Sequence, residues 1–471
     1  MNSTWDQITL SYFSAKTWLN ASYVYRIVGL FSQWRQGSFL LQWGEALGAL
    51  LLSIVFLFSP FVTTGLIGVW LVAITAYWGL LTLSDTEKPG LTPIHLLVFV
   101  YWGISAVAVA FSPVKAAAFA GFIKLTLYLI FFAFSARILR SPRLTNWLIS
   151  VILGIGLLVS SYGVRQQIFG VEQLATWNDP TSEFANATRV YSYLENPNLL
   201  SSYILPAIAF SISAFFVWKG LFPKVLAATM VMVNIACLYF TGSRGGWIAI
   251  MALFFTFLLL LFVWFNNHLS PFWRKWLLPV VFGSLGGLLF VAIISVDPLR
   301  ARVMSIFAGR QDSSNNFRMN VWMAVIEMIR DRPIIGIGPG NSAFNKIYPL
   351  YMSPKYSALS SYSVLLETAV ETGLIGLSIF VWLIVVTVNQ GVQQIQRLRD
   401  TNNLHGLWII AAISAMAGLL AQGMFDTVWY RPQVNTLWWF LMALIASQYQ
   451  PKSKDNVVDS VDETEVLTVN S

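Results

Sequence analysis

Apolar runs of roughly twenty residues recur along this chain from Trp43 to Tyr449, and no other feature constrains its fold so strongly. A helix crosses a hydrocarbon core of about 30 Å with about 20 residues, within a range of about 17–25. The runs that qualify are 43–59, 61–83, 93–111, 114–136, 145–167, 197–217, 223–241, 246–266, 275–296, 361–388, 405–424 and 433–449. Only 11% of the 471 residues are charged and 56% are hydrophobic, against roughly 25% charged in soluble domains. One soluble core cannot hide that much apolar surface, so the bilayer must act as solvent. The expected fold is all-α: a polytopic transmembrane bundle of about twelve helices with a large, partly helical periplasmic loop. The first run is short and the seventh and eighth nearly touch, so ten or eleven crossings also fit.

Short-loop cations set the orientation. Arg137, Arg140 and Arg143 follow the fourth run, Lys219 the sixth, Arg274 the eighth, and Arg397 and Arg399 the tenth. Positive residues stay on the cytoplasmic side, so a multi-pass protein of the plasma (inner) membrane with both termini cytoplasmic is expected. Residues 1–36, in which Lys16, Arg26 and Arg35 mix with Trp5, Trp18 and several tyrosines, read as an interfacial N-terminal segment and not as a cleavable signal. Residues 37–450 form the membrane domain, with outer loops at about 168–196 and 297–360. The acidic tail 451–471 lacks aromatics and reads as disordered. Inside the second loop, Val321, Val325, Met328 and Ile329 share one stripe of a short helix over 316–330. Arg332-Pro333 ends it, and Gly336, Gly338 and Gly340 mark the turn beyond.

The net charge of +8 is spent on topology, not on nucleic acid. Cys237 is the single cysteine, which excludes an intrachain disulfide and a C-x-x-C metal or redox site. No Walker A motif is present, and no metal or cofactor is expected. Arg244, in Thr241-Gly242-Ser243-Arg244-Gly245-Gly246-Trp247, opens a helix facing outward. Its planar fork of donors suits phosphate or carboxylate oxygens, although an interfacial arginine snorkelling to headgroups fits as well. Arg300, Arg302, Arg310, Arg318, Arg330, Arg332, Lys346 and Lys355 crowd the second loop, and Arg165, Arg189 and Arg431 share that face. The set reads as an anion-attracting surface or as a mixed-charge solvated loop. At membrane depth lie Lys124, Glu367 and Glu371. The two glutamates are four apart on one helix face, with Glu371 about 15 Å below the outer boundary. Intramembrane charges mark function or a structural ion pair. Asp426, before Trp429-Tyr430-Arg431-Pro432, reads as interfacial. All three histidines, His95, His268 and His405, fall toward the cytoplasmic side, which leaves the outer face without an imidazole base.

Ser243-Arg244-Gly245, Arg318-x-x-x-Trp322, the run Pro333 to Asn341, and Leu366 to Leu377 together resemble the O-antigen ligase and polymerase superfamily. Ser357 to Ser363 and Asp426 to Pro432 are similar to its cyanobacterial IctB-like branch, whose members are described as bicarbonate transporters. The superfamily resemblance implies about twelve helices and a large periplasmic loop. It also implies attack by a sugar hydroxyl on an undecaprenyl-diphosphate-linked glycan, with outward arginines on the diphosphate and a histidine as base. Arg244 and Arg318 match the arginine positions. Tyr362 stands where the histidine would, nine residues before Glu371, and a phenol with pKa near 10 is a poor base at neutral pH.

Two functions follow. The first is inorganic-carbon (bicarbonate) transport or accumulation, with Arg244, Arg318, Arg310 and Arg431 collecting the anion and Lys124 and Glu371 marking a path. The second is glycosyl transfer from a polyprenyl-diphosphate lipid, with Tyr362 as the only catalytic candidate. A non-catalytic assembly role is a third reading. Membrane lipid is an expected partner in each, nucleic acid in none, and protein partners are unspecified.

Overall fold

The computed structural model describes residues 2–13, 27–85, 90–172, 174, 189–307, 309–426 and 428–451. Among the described residues three small helices come first: α1 (Asn2–Ile8), α2 (Ser32–Gly37) and α3 (Phe39–Gln42). The apolar runs then become α4 (Gly44–Phe58), α5 (Thr64–Leu83), α6 (Pro93–Ala110), α7 (Lys115–Ile138), α8 (Pro142–Phe169), α9 (Pro197–Val217), α10 (Leu221–Phe240), α11 (Arg244–Phe265) and α12 (Pro271–Ser295). The second loop carries α13 (Asp297–Phe307), α14 (Ser313–Asp331) and α15 (Asn341–Ile347), and the chain continues through α16 (Val364–Asp400), α17 (His405–Gly423) and α18 (Pro432–Ser447). Each of the twelve expected runs is a helix. Among the described residues ten of them, α5 to α12 with α16 and α17, are long and apolar enough to cross a membrane. The other two, α4 with 15 residues and α18 with 16, are shorter.

Polar caps start these helices where the sequence offers them. The Thr92 hydroxyl accepts from the His95 amide ahead of Pro93, Asn196 accepts from the Asn198 and Leu199 amides ahead of Pro197, and Ser243 accepts from the Gly246 amide. Such caps satisfy donors that hydrocarbon would otherwise leave unpaired. Helices α9, α17 and α18 form the heart of the bundle, with nearly every side chain buried, whereas α12 buries none and lies at the periphery. Lipid tails are as apolar as leucine, so close packing and not water exclusion holds such a core together.

At one end, Arg137 meets Asp85 through two contacts of 2.7 and 3.3 Å, and Arg35 joins the same carboxylate at 3.3 Å. Residues 2–13 are clamped to the far end of α16. Trp5 Nε1 donates to Asn389 Oδ1, Trp382 Nε1 to the Ile8 carbonyl, and Tyr449 Oη to the Phe13 carbonyl. The first residues of the segment 1–36, expected at the membrane interface, thus make contacts with the helical bundle. Residues 14–26, most of the 168–196 loop and the tail from 452 lie outside the described residues.

The stripe expected over 316–330 is α14, extended to Ser313–Asp331 and capped by Asp312, whose side chain accepts from the Asn315 amide. Val321, Val325 and Met328 are buried against Ile337, Phe344, Tyr348 and Val370. The apolar run predicts one membrane-spanning helix over 361–388. That helix, α16, is broken at Gly373, with φ of 70°. The run from Pro333 to Gly340 docks across the break: Ile337 and Gly338 amides donate to the Val370 and Glu371 carbonyls, and the Leu374 amide to Pro333. A Cβ on Gly373 would lie 2.1 Å from the Ile334 carbonyl oxygen, so only glycine fits. Irregular backbone at this depth is tolerated because protein, not lipid, satisfies it.

Candidate functional site

Arg244 begins α11 behind a sharp turn in which Gly242 has φ of 60°. Its Nη2 lies 2.9 Å from Asp312 Oδ1, and Asp312 is also the cap of the helix that carries Arg318. One carboxylate thus ties two sequence motifs together. Arg318 donates from Nε to the Phe425 carbonyl at 2.8 Å and from Nη1 to Ser314 Oγ at 2.8 Å, which leaves its Nη2 without a partner among the described residues. Burial pushes the Arg318 guanidinium down from its ordinary value, and the neighbouring Asp426 charge opposes that. Burial also disfavours the charge on Asp312. The Arg244 and Asn315 hydrogen bonds, with the charges of both arginines, outweigh it and hold the carboxyl below its usual range.

Asn198, which sequence reading did not single out, extends the cluster. Its Nδ2 donates to Asp426 Oδ2 at 2.8 Å and its Oδ1 accepts from Arg189 at 3.2 Å. The signal available was the polar run Glu195-Asn196-Pro197-Asn198 opening an otherwise apolar helix. Gln422 of α17 donates to the Asn198 carbonyl at 3.0 Å and to Ser201 Oγ at 2.8 Å, fixing the α9 end.

Tyr362 is half-buried beside this cluster, at φ of 53°, with its ring edge-on to Phe317 at 5.5 Å. Its hydroxyl makes no hydrogen bond among the described residues. Burial, with the charge of Asp426, pushes its pKa up to about 12; Arg318 pulls the other way and loses. The three histidines are elsewhere. His268 follows α11 and His405 starts α17, each about 30 Å of helix from the Arg244 end, and His95 sits at the start of α6 against Phe132.

The four candidate arginines do not form one surface. Arg310 is exposed and reaches Met323 Sδ at 3.6 Å. The side chain of Arg302 lies outside the described residues. Arg431 stacks over Tyr430 at 5.1 Å and lines a different feature, a cavity of about 610 Å³. That cavity brings Lys124, Glu367 and Glu371 together between α5, α7, α15, α16 and α18. Glu367 accepts from the Ser361 amide and Glu371 from the Gly340 amide, each at 2.7 Å. Lys124 shares their cavity without pairing to either; no ion pair involves it among the described residues, so the structural Lys–Glu pair is corrected. A Cβ on Gly121 would fall 2.0 Å from the Pro339 carbonyl oxygen, and this close approach seats the glycine run on α7.

Residues 227–381 match the family model described as O-antigen ligase. The matched segment holds Arg244, Arg318, the run from Pro333 to Asn341, Tyr362, Glu367 and Glu371, and it supports the O-antigen-ligase-like superfamily. It does not extend to the IctB-like branch. No curated protein matches the chain.

Proposed function

We propose that this multi-pass membrane protein handles a polyprenyl-diphosphate-linked glycan, with Arg244 and Arg318 receiving the diphosphate. The observation that carries the reading is that Arg244 pairs with Asp312, the residue that caps the helix carrying Arg318, so that the guanidinium groups of two separate motifs lie within each other's field. Guanidinium forks offer the paired, directional donors that phosphate oxygens accept. Asp312 holds the Arg244 fork, the Phe425 carbonyl and Ser314 hold Arg318, and the charges of Asp312 and Asp426 offset both; a diphosphate, with more negative oxygens than one carboxylate, competes for the same donors.

A glycosyl transfer also needs a group that takes the proton of the attacking hydroxyl. Tyr362, pushed to about 12, is a poor match for a base working near neutrality. Asp426 is the carboxylate whose charge acts on both Arg318 and Tyr362, and it is the better candidate. Inorganic-carbon transport draws no support from the family match.

The test is a direct pairing of assays. The purified protein is reconstituted in liposomes, and turnover of an undecaprenyl-diphosphate sugar is measured beside uptake of labelled bicarbonate. Turnover of the lipid-linked sugar is the expected result. Bicarbonate accumulation with no sugar turnover would overturn the proposal.

A further inference from the structure

The 610 Å³ cavity lies apart from the arginine pair and has a lining of its own kind. Three chemistries meet on its wall. Aromatic rings are supplied by Trp429, Trp438, Trp439 and Tyr128. Hydrogen-bond acceptors come from Glu367 and Glu371, each of which commits one carboxylate oxygen to a backbone amide. Donors come from Lys124, whose ammonium has no ion pair among the described residues, together with Asn345 and Arg431.

A volume of this size falls within the roughly 300–1,000 Å³ of small-molecule sites. The lining then narrows the occupant. An alkyl chain alone would leave two carboxylates and an ammonium in apolar surroundings, a costly arrangement. A small inorganic anion would meet two carboxylates across a space far too large for it. A polyhydroxylated ring suits every part: its hydroxyls both donate to Glu371 and accept from Lys124 and the amides, and its C–H faces lie against indole and phenol rings.

We infer that this cavity is a saccharide-binding site, with Lys124 and Glu371 as its principal polar contacts and Trp429, Trp439 and Tyr128 along its aromatic wall. The inference stands on the cavity itself and does not require the diphosphate assignment. The two sites are nevertheless neighbours along the chain: the Phe425 carbonyl is held by Arg318, while Tyr430 and Arg431 line the cavity.

The experiment is titration of the full-length protein in lipid nanodiscs, free of maltoside detergent, with cellobiose, lactose and N,N′-diacetylchitobiose. Tryptophan fluorescence is the readout. At least one disaccharide is expected to give a saturable change, and Lys124→Met to weaken it about tenfold or more, as loss of a hydrogen bond from a charged donor does. Glu371→Gln should weaken it likewise; since Glu371 also holds the Gly340 amide, the Lys124 variant, which leaves every observed hydrogen bond intact, guards against misfolding. Undecaprenyl diphosphate is titrated in parallel. If it binds while no disaccharide does, the saccharide site is wrong and the diphosphate reading stands. Disaccharide binding without diphosphate binding upholds the saccharide site and removes the diphosphate reading. Quenching by a brominated alkyl lipid in place of any sugar, or an unchanged response in both variants, also overturns the inference.

Discussion

Replacing Tyr362 with phenylalanine separates a surviving catalytic base from a packing residue. At pH 7 a phenol of pKa 10 is ionised to about one part in 10³. With its pKa near 12, Tyr362 is ionised to about one part in 10⁵, a further hundredfold loss of the form able to accept a proton. The physical cause is burial first and the Asp426 charge second. The hydroxyl makes no hydrogen bond among the described residues, while the ring packs edge-on to Phe317. Phenylalanine keeps that ring and tolerates the same backbone as tyrosine. The fold should therefore change by less than about 1 kcal/mol, and turnover of the lipid-linked sugar should stay within a few-fold of the parent. The assay is initial rate in liposomes from pH 6 to pH 9, with melting temperature as control. A phenolate base would give a rate still climbing with pH at the top of that range, and phenylalanine would cut it by about 10²–10⁴, the usual worth of acid–base catalysis. Such a fall with an unchanged melting temperature would refute the assignment of Tyr362 to packing.

Arg244→Lys and Arg318→Lys should each lower diphosphate binding about tenfold or more at unchanged expression, because an ammonium keeps the charge and loses the fork; full binding in both would leave only a diffuse electrostatic role. Gly373→Ala places a methyl group on the Ile334 carbonyl at a positive φ, and should cost about 2–4 kcal/mol, read as lost melting temperature or lost folded protein. Asp312 has a depressed folded pKa, so its pairing with Arg244 contributes stability above the unfolded value of about 3.9 and loses it as pH falls through the folded value; melting between pH 5 and pH 3 should drop less steeply in Asp312→Asn. Cysteine placed at Ser313 should react with an impermeant reagent in intact cells and cysteine at Ser453 should not, as positive-inside orientation requires.

The membrane helices were legible because a hydrocarbon solvent imposes length and apolarity directly on sequence, one segment at a time. Helix α14 was legible for a related reason: its stripe of Val321, Val325 and Met328 has helical period and ends at Arg332-Pro333. What sequence reading missed depends on contacts between distant segments. The break at Gly373 needs the run from Pro333 to Gly340 lying across it, and no local signal in an apolar helix announces such a partner. Asn198 and the cavity that Lys124 shares with Trp429 and Trp439 are likewise defined by neighbours hundreds of residues away. The clamp of Trp5 on Asn389 escapes a sequence reading because an aromatic segment looks the same whether it faces headgroups or protein.

The motifs behind the superfamily resemblance divide once their contacts are known. The glycines at 336, 338 and 340, with Gly373, let a run of turns and bends cross a broken helix, and Glu371 secures that crossing by accepting from the Gly340 amide. These residues build a shape. Arg244 and Arg318 answer to a different demand: α11 and α14 bring them near one another, Arg244 on the Asp312 carboxylate and Arg318 on the Phe425 carbonyl and Ser314, and the Arg318 Nη2 keeps no partner among the described residues. A chain can retain the first group for architecture alone, whatever its chemistry, because losing it removes the fold. The two guanidinium groups stand within reach of each other's repulsion, with Asp312 and Asp426 offsetting it. Under the proposed function that arrangement serves an anion with several oxygens, so the arginine pair, more than the longer glycine and glutamate motifs, is the part of the pattern that suits a lipid-linked diphosphate.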